Sequence, residues 1–135
     1  MKTKEVIIVQ NAAKLFSQHG IKKITMDDVS RACGMSKRTI YESLGSKKKL
    51  VEKTLDYLQG IDMEIIEKSG MQKQDAMDEI MFLIKHINQW FKEFSTAMEN
   101  DLRLYYPQKY AEINRIREKR IYNIIFNNIK KGVKE

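Results

Sequence analysis

A single cysteine, Cys33, excludes an internal disulfide framework and agrees with a reducing, cytoplasmic setting. One proline and six glycines leave a chain rich in Lys, Glu, Ile and Met with few helix breakers, which favours an all-α fold. No apolar run reaches the roughly eighteen residues that a membrane span needs. The opening Met-Lys-Thr-Lys-Glu leads into a charged amphipathic segment, unlike a signal peptide. His19 and His86 stand alone, without the Cys/His or carboxylate spacing of a zinc site. Neither a phosphate-cradling glycine loop nor a nucleophile motif occurs, so an enzyme is disfavoured and no cofactor is implied.

What the chain does have is positive charge in one place. Lys and Arg number 25 against 18 Asp and Glu, a net charge of +7. Residues 1–50 hold eleven Lys/Arg and four Asp/Glu, while residues 51–135 hold fourteen of each. The whole excess therefore sits in the first fifty residues. Localised positive charge is the footprint of a face that meets a polyanion; a solvated lysine surface is the plainer alternative.

Within that segment, residues 24–51 contain three helix starts. Thr25 with Asp28 forms a capping-box pattern, and Ser36 and Ser46 are N-caps for two further helices. Gly34 stands one residue past Cys33, where a helix end turns left-handed. Helix, glycine turn and short helix make the pattern of a helix-turn-helix, whose second helix enters the major groove. The charges sharpen it. Asp27 and Asp28 suit a helix N-terminus, but Ser36 is followed by Lys37 and Arg38, and Ser46 by Lys47, Lys48 and Lys49. Cations beside a positive dipole end and free N–H groups make a phosphate site.

These residues resemble the DNA-binding domain of the TetR family of bacterial transcriptional regulators. The family pattern runs without gaps through Thr25, Val29, Ala32, Gly34-Met35-Ser36, Thr39-Ile40-Tyr41, Leu44, Lys47 and Leu50. Ser30 before Arg31 stands in place of the usual alanine, Leu44 in place of phenylalanine, and Lys48 where an acid is common. The resemblance implies DNA-binding roles for Thr25, Ser36, Lys37, Arg38, Thr39, Tyr41, Ser43 and Lys47. Lys37, Arg38 and Thr39 would face base edges or nearby phosphates. Tyr41 would reach a phosphate through its hydroxyl, and Thr25 and Ser36 would offer phosphates a hydroxyl and an N–H as well as capping their helices. Cys33 reads as a small buried hydrophobe.

A domain boundary is expected near residue 46, with a helix-turn-helix domain over 1–46 and a helical ligand-binding and dimerisation region over 47–135. The first helix is expected over residues 4–19, capped by Thr3, its Val6, Val9, Ala13 and Phe16 meeting Val29, Ala32, Ile40, Leu44 and Leu50. The next two span about 27–33 and 37–43. A long linking helix over 47–69 would reach more than about 30 Å, closed by Gly70. One helix is expected over 74–98, apolar on most sides and so buried and central, followed by a break at Asn100 and Asp101. Pro107 either starts or kinks the last helix, which ends near Gly132.

Leu104 to Pro107 and Ile129 to Gly132 resemble the family's middle helices more loosely. In the family further helices follow and form the dimer, so C-terminal helices are expected to be missing here. The resemblance implies an effector pocket, for which Met81, Trp90, Phe94 and Tyr105 are the candidates, although an ordinary helical core is the better reading of most of the aromatic and Met residues there. The expected function is a repressor that answers to a small apolar or amphipathic effector and binds a palindromic double-stranded DNA operator as a homodimer, with no membrane involved. The alternatives are a partner-seeking DNA-binding module and a basic helical protein that meets acidic partners or DNA non-specifically.

Overall fold

The computed structural model describes residues 2–71 and 75–134, with the side chains of residues 68–71 and 90–93 outside that description. Among the described residues are seven helices: α1 (Thr3–His19), α2 (Met26–Cys33), α3 (Lys37–Leu44), α4 (Lys47–Met71), α5 (Ala76–Glu93), α6 (Thr96–Tyr105) and α7 (Pro107–Lys134). The fold is all-α, as the shortage of glycine and proline implies.

α1 is the hub. Ile8, Val9, Ala12, Ala13 and Phe16 recur at helical spacing and are all buried. Their face packs on α2, α3, α4 and α6. Val29, Ile40, Leu44, Leu50 and Val51 close over it, together with Met98 and Leu102 of α6 and Ile113 of α7. The buried cluster is thus continuous from the helix-turn-helix into the C-terminal helices. Ala32, expected in this core, is exposed on the outer side of α2. Lys2, not Thr3, is the N-cap of α1, and its side chain makes no capping bond.

The helix ends follow local chemistry. Thr25 and Asp28 form the complete capping box, with the Asp28 N–H donating to Thr25 Oγ1 at 3.1 Å and the Thr25 N–H to Asp28 Oδ2 at 2.8 Å. Gly34 closes α2 at φ 64° and ψ 31°, the left-handed conformation that a side chain would strain. The Thr39 N–H donates to Ser36 Oγ at 3.1 Å and the Lys49 N–H to Ser46 Oγ at 3.2 Å. Pro107 starts α7 without kinking it, as the first residue of a helix has no N–H to lose.

The C-terminal half departs from expectation in three ways. The single helix expected over 74–98 is two helices, because Phe94 is extended and Ser95 caps α6 by accepting the Met98 N–H at 3.2 Å. The Ser95 N–H is meanwhile held by Ser17 O at 3.1 Å, a partner too distant in sequence to be anticipated. Asn100 and Asp101 consequently lie inside α6 and break nothing. Second, α5 is not buried on most sides: Leu83 is buried, yet Met77, Met81 and Ile84 are exposed. Its main packing partners are α4 and α7. Third, Gly70 lies inside α4 instead of closing it, while Gly60 is carried within α4 and Gly132 within the last turn of α7. A helix supported by tertiary contacts tolerates the roughly 1 kcal/mol that each glycine costs.

α7 is tied to the start of α5 by polar contacts. Asn128, buried, donates to Ala76 O at 2.6 Å, and Lys131 pairs with Glu79 at 2.7 Å. Asn128→Leu should therefore leave the Ala76 carbonyl without this donor and cost about 1–3 kcal/mol, read from the urea midpoint.

Candidate nucleic-acid interface

The turn between α2 and α3 is built so that α3 projects. Gly34 reverses the chain, the Met35 N–H donates to Ser30 O at 3.2 Å, and the Ser30 hydroxyl donates to Met35 O. Ile40 and Leu44 point into the core, which turns the other side of α3 outward. On that side Lys37 and Arg38 are exposed, Tyr41 is 42% exposed, and Thr39 and Ser43 are half-buried. Thr25 and Ser36 are exposed at the starts of α2 and α3. Seven of the eight expected residues therefore lie on the surface of one small domain.

The cations of this face are not bare. Lys37 pairs with Asp27 at 3.2 Å, Arg38 with Glu42 at 2.9 Å, and Arg31 with Asp28 at 2.6 Å. Exposed pairs of this kind are worth about 0–1 kcal/mol, so a phosphate can displace the acid at little cost. Thr39 Oγ1 lies 2.9 Å from Ser36 Oγ, so the two hydroxyls share a hydrogen bond at the start of α3.

Asp28 is held as its carboxylate from several sides. The Thr25 N–H, then its hydroxyl, then Arg31 favour the carboxylate and put its pKa below the ordinary 3.8. A carboxyl with a depressed folded pKa stabilises the fold above its unfolded value and loses that contribution as pH falls through the folded one. Asp28→Asn should therefore flatten the dependence of Tm on pH below about 3.8 and leave the neutral-pH slope unchanged, as thermal melts across that range will show.

Lys47 departs from expectation. Its ammonium turns inward and donates to Ile21 O at 2.8 Å and Ile24 O at 2.5 Å. Burial lowers its pKa, opposed by the charges of Asp101 and Asp28. Lys47 thus fastens the connection between α1 and α2 to the start of α4. A lysine's ammonium sits on a flexible chain of methylenes, so its position at a helix start did not reveal which way it turned.

Two residues that sequence reasoning passed over act on the same connection. Asp101, on α6, accepts the Ile21 and Lys22 N–H groups, each at 2.9 Å. Lys22 donates to the Tyr105 hydroxyl at 2.8 Å and lies 5.0 Å from the centre of its ring. The 20–25 segment is held from one side by α4 and from the other by α6. No local signal marks Asp101, which lies eighty residues from Ile21.

The effector candidates are dispersed. Phe94 lines a cavity between α4, α6 and α7, but Met81 is exposed on α5 and Tyr105 is engaged with Lys22. The side chain of Trp90 lies outside the described residues. Among the described residues there is no group of three or more His, Cys, Asp or Glu that could hold a metal, and no helix is long and apolar enough to cross a membrane.

A capped helix, a left-handed glycine turn and a second helix with a basic outward face define a helix-turn-helix DNA-binding domain. Residues 8–54 match the family of bacterial regulatory proteins named for tetR, and this part of the chain is a TetR-family DNA-binding domain. The biofilm operon icaADBC HTH-type negative transcriptional regulator IcaR of Staphylococcus aureus (strain Newman) is 33% identical over 79 residues, which are 56% of this chain and 42% of that protein. The uncharacterized HTH-type transcriptional regulator YuxN of Bacillus subtilis (strain 168) is 35% identical over 57 residues, 42% of this chain and 20% of that one. The matches thus span less than half the length of these relatives. The fold extends further than the sequence likeness. The fatty acid degradation regulator FadR from Bacillus halodurans superposes with a TM-score of 0.74 at 15% identity, covering 98% of this chain and 71% of that one. The ketosteroid transcriptional regulator KstR2 of Mycobacterium tuberculosis gives 0.70 at 15% identity, covering 99% and 70%.

Proposed function

We propose that this chain represses transcription by binding a palindromic DNA operator as a homodimer, and that a small ligand in the helical region over 47–135 controls that binding. The outward face of α3 carries the proposal: a short helix anchored by Ile40 and Leu44 presents Lys37, Arg38 and Tyr41 to solvent on a domain with all the net charge. Lys37, Arg38 and Thr39 read bases or adjacent phosphates, while Tyr41, Ser36 and Thr25 fix the register on the backbone. Ser43, a turn beyond Thr39, borders the same face. Repression follows the relative described as a negative regulator. Two α3 helices about 34 Å apart would meet successive major grooves.

Mobility shifts on genomic fragments test this. Tyr41→Ala and Lys37→Ala should each weaken specific binding by roughly tenfold or more, the loss expected of about 1–3 kcal/mol. Specific binding that is unchanged in both variants, or that vanishes alike for all sequences at moderate salt, would instead favour a basic protein with no sequence preference. Light scattering on the operator complex tests the dimer: a single copy on each operator argues against it.

A further inference from the structure

The cavity between α4, α6 and α7 measures about 130 Å³. Leu55 and Leu58 of α4, Met98 and Leu102 of α6, Ile113 of α7 and Phe94 make most of its wall apolar. An engineered apolar cavity of about 150 Å³ holds benzene, so the space suits one ring or a short hydrocarbon chain.

One strong cation interrupts this apolar wall. Arg117 lines the cavity from α7, and its side chain is only 12% exposed. It occupies the apolar stripe of α7, four residues after Ile113 and four before Ile121. Its Nη1 lies 3.7 Å from Oδ2 of Asp62, a buried acid on α4. Asp62 also receives His86 of α5, whose Nε2 is 2.5 Å from Oδ1. One buried carboxylate therefore serves two basic side chains. Burial depresses the Arg117 pKa and Asp62 opposes the depression. A guanidinium nevertheless stays charged at neutral pH. Glu99, the acid in the wall, is half-exposed and already meets the Tyr110 hydroxyl at 3.3 Å and Arg103 at 3.4 Å.

We propose that this cavity binds a small apolar carboxylic acid as its anion, with the hydrocarbon against Leu55, Leu58 and Met98 and the carboxylate on Arg117. This deepens the ligand-responsive reading above and rests on it for any regulatory consequence. The planar fork of a guanidinium matches two carboxylate oxygens, and a low-polarity surround strengthens the pairing. A neutral hydrocarbon forms no such paired hydrogen bonds, and an amine is repelled by the guanidinium. The same cavity touches α4 and α6, the two helices that grip the 20–25 segment through Lys47 and Asp101.

Titration calorimetry on the full chain at neutral pH, with hexanoate and hexan-1-ol as paired probes, tests the site. Hexanoate should bind at least about tenfold more tightly than the alcohol. Arg117→Met, which keeps the aliphatic stem, should erase that preference, and Arg117→Lys should retain part of it. Leu102→Trp, which fills the cavity, should abolish binding of both probes. Equal binding of acid and alcohol, no binding of the acid, or a preference that survives Arg117→Met overturns the proposal. Should Arg117→Met fail to fold, the wild-type comparison and Arg117→Lys still decide it. Operator binding is measured separately: hexanoate that binds through Arg117 but leaves the mobility shift unchanged sinks the regulatory reading and leaves the site standing. An operator shift that depends on Lys37 and Tyr41, together with no acid binding, does the reverse.

Discussion

Phe16→Ala should lower the unfolding free energy by about 3–5 kcal/mol, a large share of the 5–15 kcal/mol typical of a domain. Phe16 is 1% exposed and is the largest fully buried side chain among the described residues. It sits on α1, where the buried cluster joins Val29, Ile40 and Leu50 of the DNA-binding segment to Met98 and Leu102 of α6. Truncation removes the ring's transfer free energy and leaves a cavity that a helix anchored on four neighbours collapses into only in part. Because the cluster is continuous, the loss should fall on both halves. Urea titrations followed by helical circular dichroism should show one transition at a lower midpoint. Amide exchange should accelerate in α3 and in α6 together. Exchange that quickens in α3 while α6 stays protected would mean two separately stable units.

Asp101→Ala should cost about 2–4 kcal/mol, from two backbone N–H groups that each lose their acceptor at about 1–3 kcal/mol, tempered by their partial access to water. Ile21 is buried and Lys22 exposed, so the larger share belongs to Ile21. The Asp101 charge also offsets the burial of Lys47, so its removal leaves that ammonium less well compensated. Lys47→Met removes the donor to Ile21 O and Ile24 O from the opposite side. Two substitutions on one short segment should not add, and a double-mutant cycle should return a coupling of about 0.5–3 kcal/mol. Operator affinity should fall in Asp101→Ala although no DNA-facing residue has changed, because the start of α2 is no longer held. An additive cycle with unaltered operator affinity would show that the segment is not a shared anchor. Gly20 gives an independent view of the same contact. At φ 85° it has a Cβ position only 2.9 Å from Asp101 Oδ2 and 3.1 Å from the Ala97 Cβ. Gly20→Ala should therefore be strained and also push α6 away.

Legibility in the sequence tracked the distance over which each feature is decided. Residues 24–51 were readable almost residue by residue, since a capping box closes over three positions and a left-handed glycine turn over two. The bounds of α2 and α3 differ from the expected ones by a single residue each. The 74–98 region failed because its break depends on the Ser95 N–H finding Ser17 O, and no periodicity carries that information. α5 looked buried because its apolar residues encircle it. Burial, however, requires neighbours on every side, and among the described residues Met77, Met81 and Ile84 have none that cover them. Nothing along the chain set Arg117 apart from the other cations of α7; only the packed helices place it beside a cavity.

By itself the sequence determined that the chain is helical, that its positive charge is confined to the first fifty residues, and which short helix turns basic side chains outward. These follow from propensities, caps and periodicity, which act over a few residues. Only the tertiary structure decided that Lys47 reaches the protein's own Ile21 and Ile24 carbonyls, that Asp101 grips the 20–25 segment across eighty residues, and where a cavity opens beside Arg117. A long charged side chain takes its partner from whatever the fold brings within reach, and that is settled only when the helices have packed.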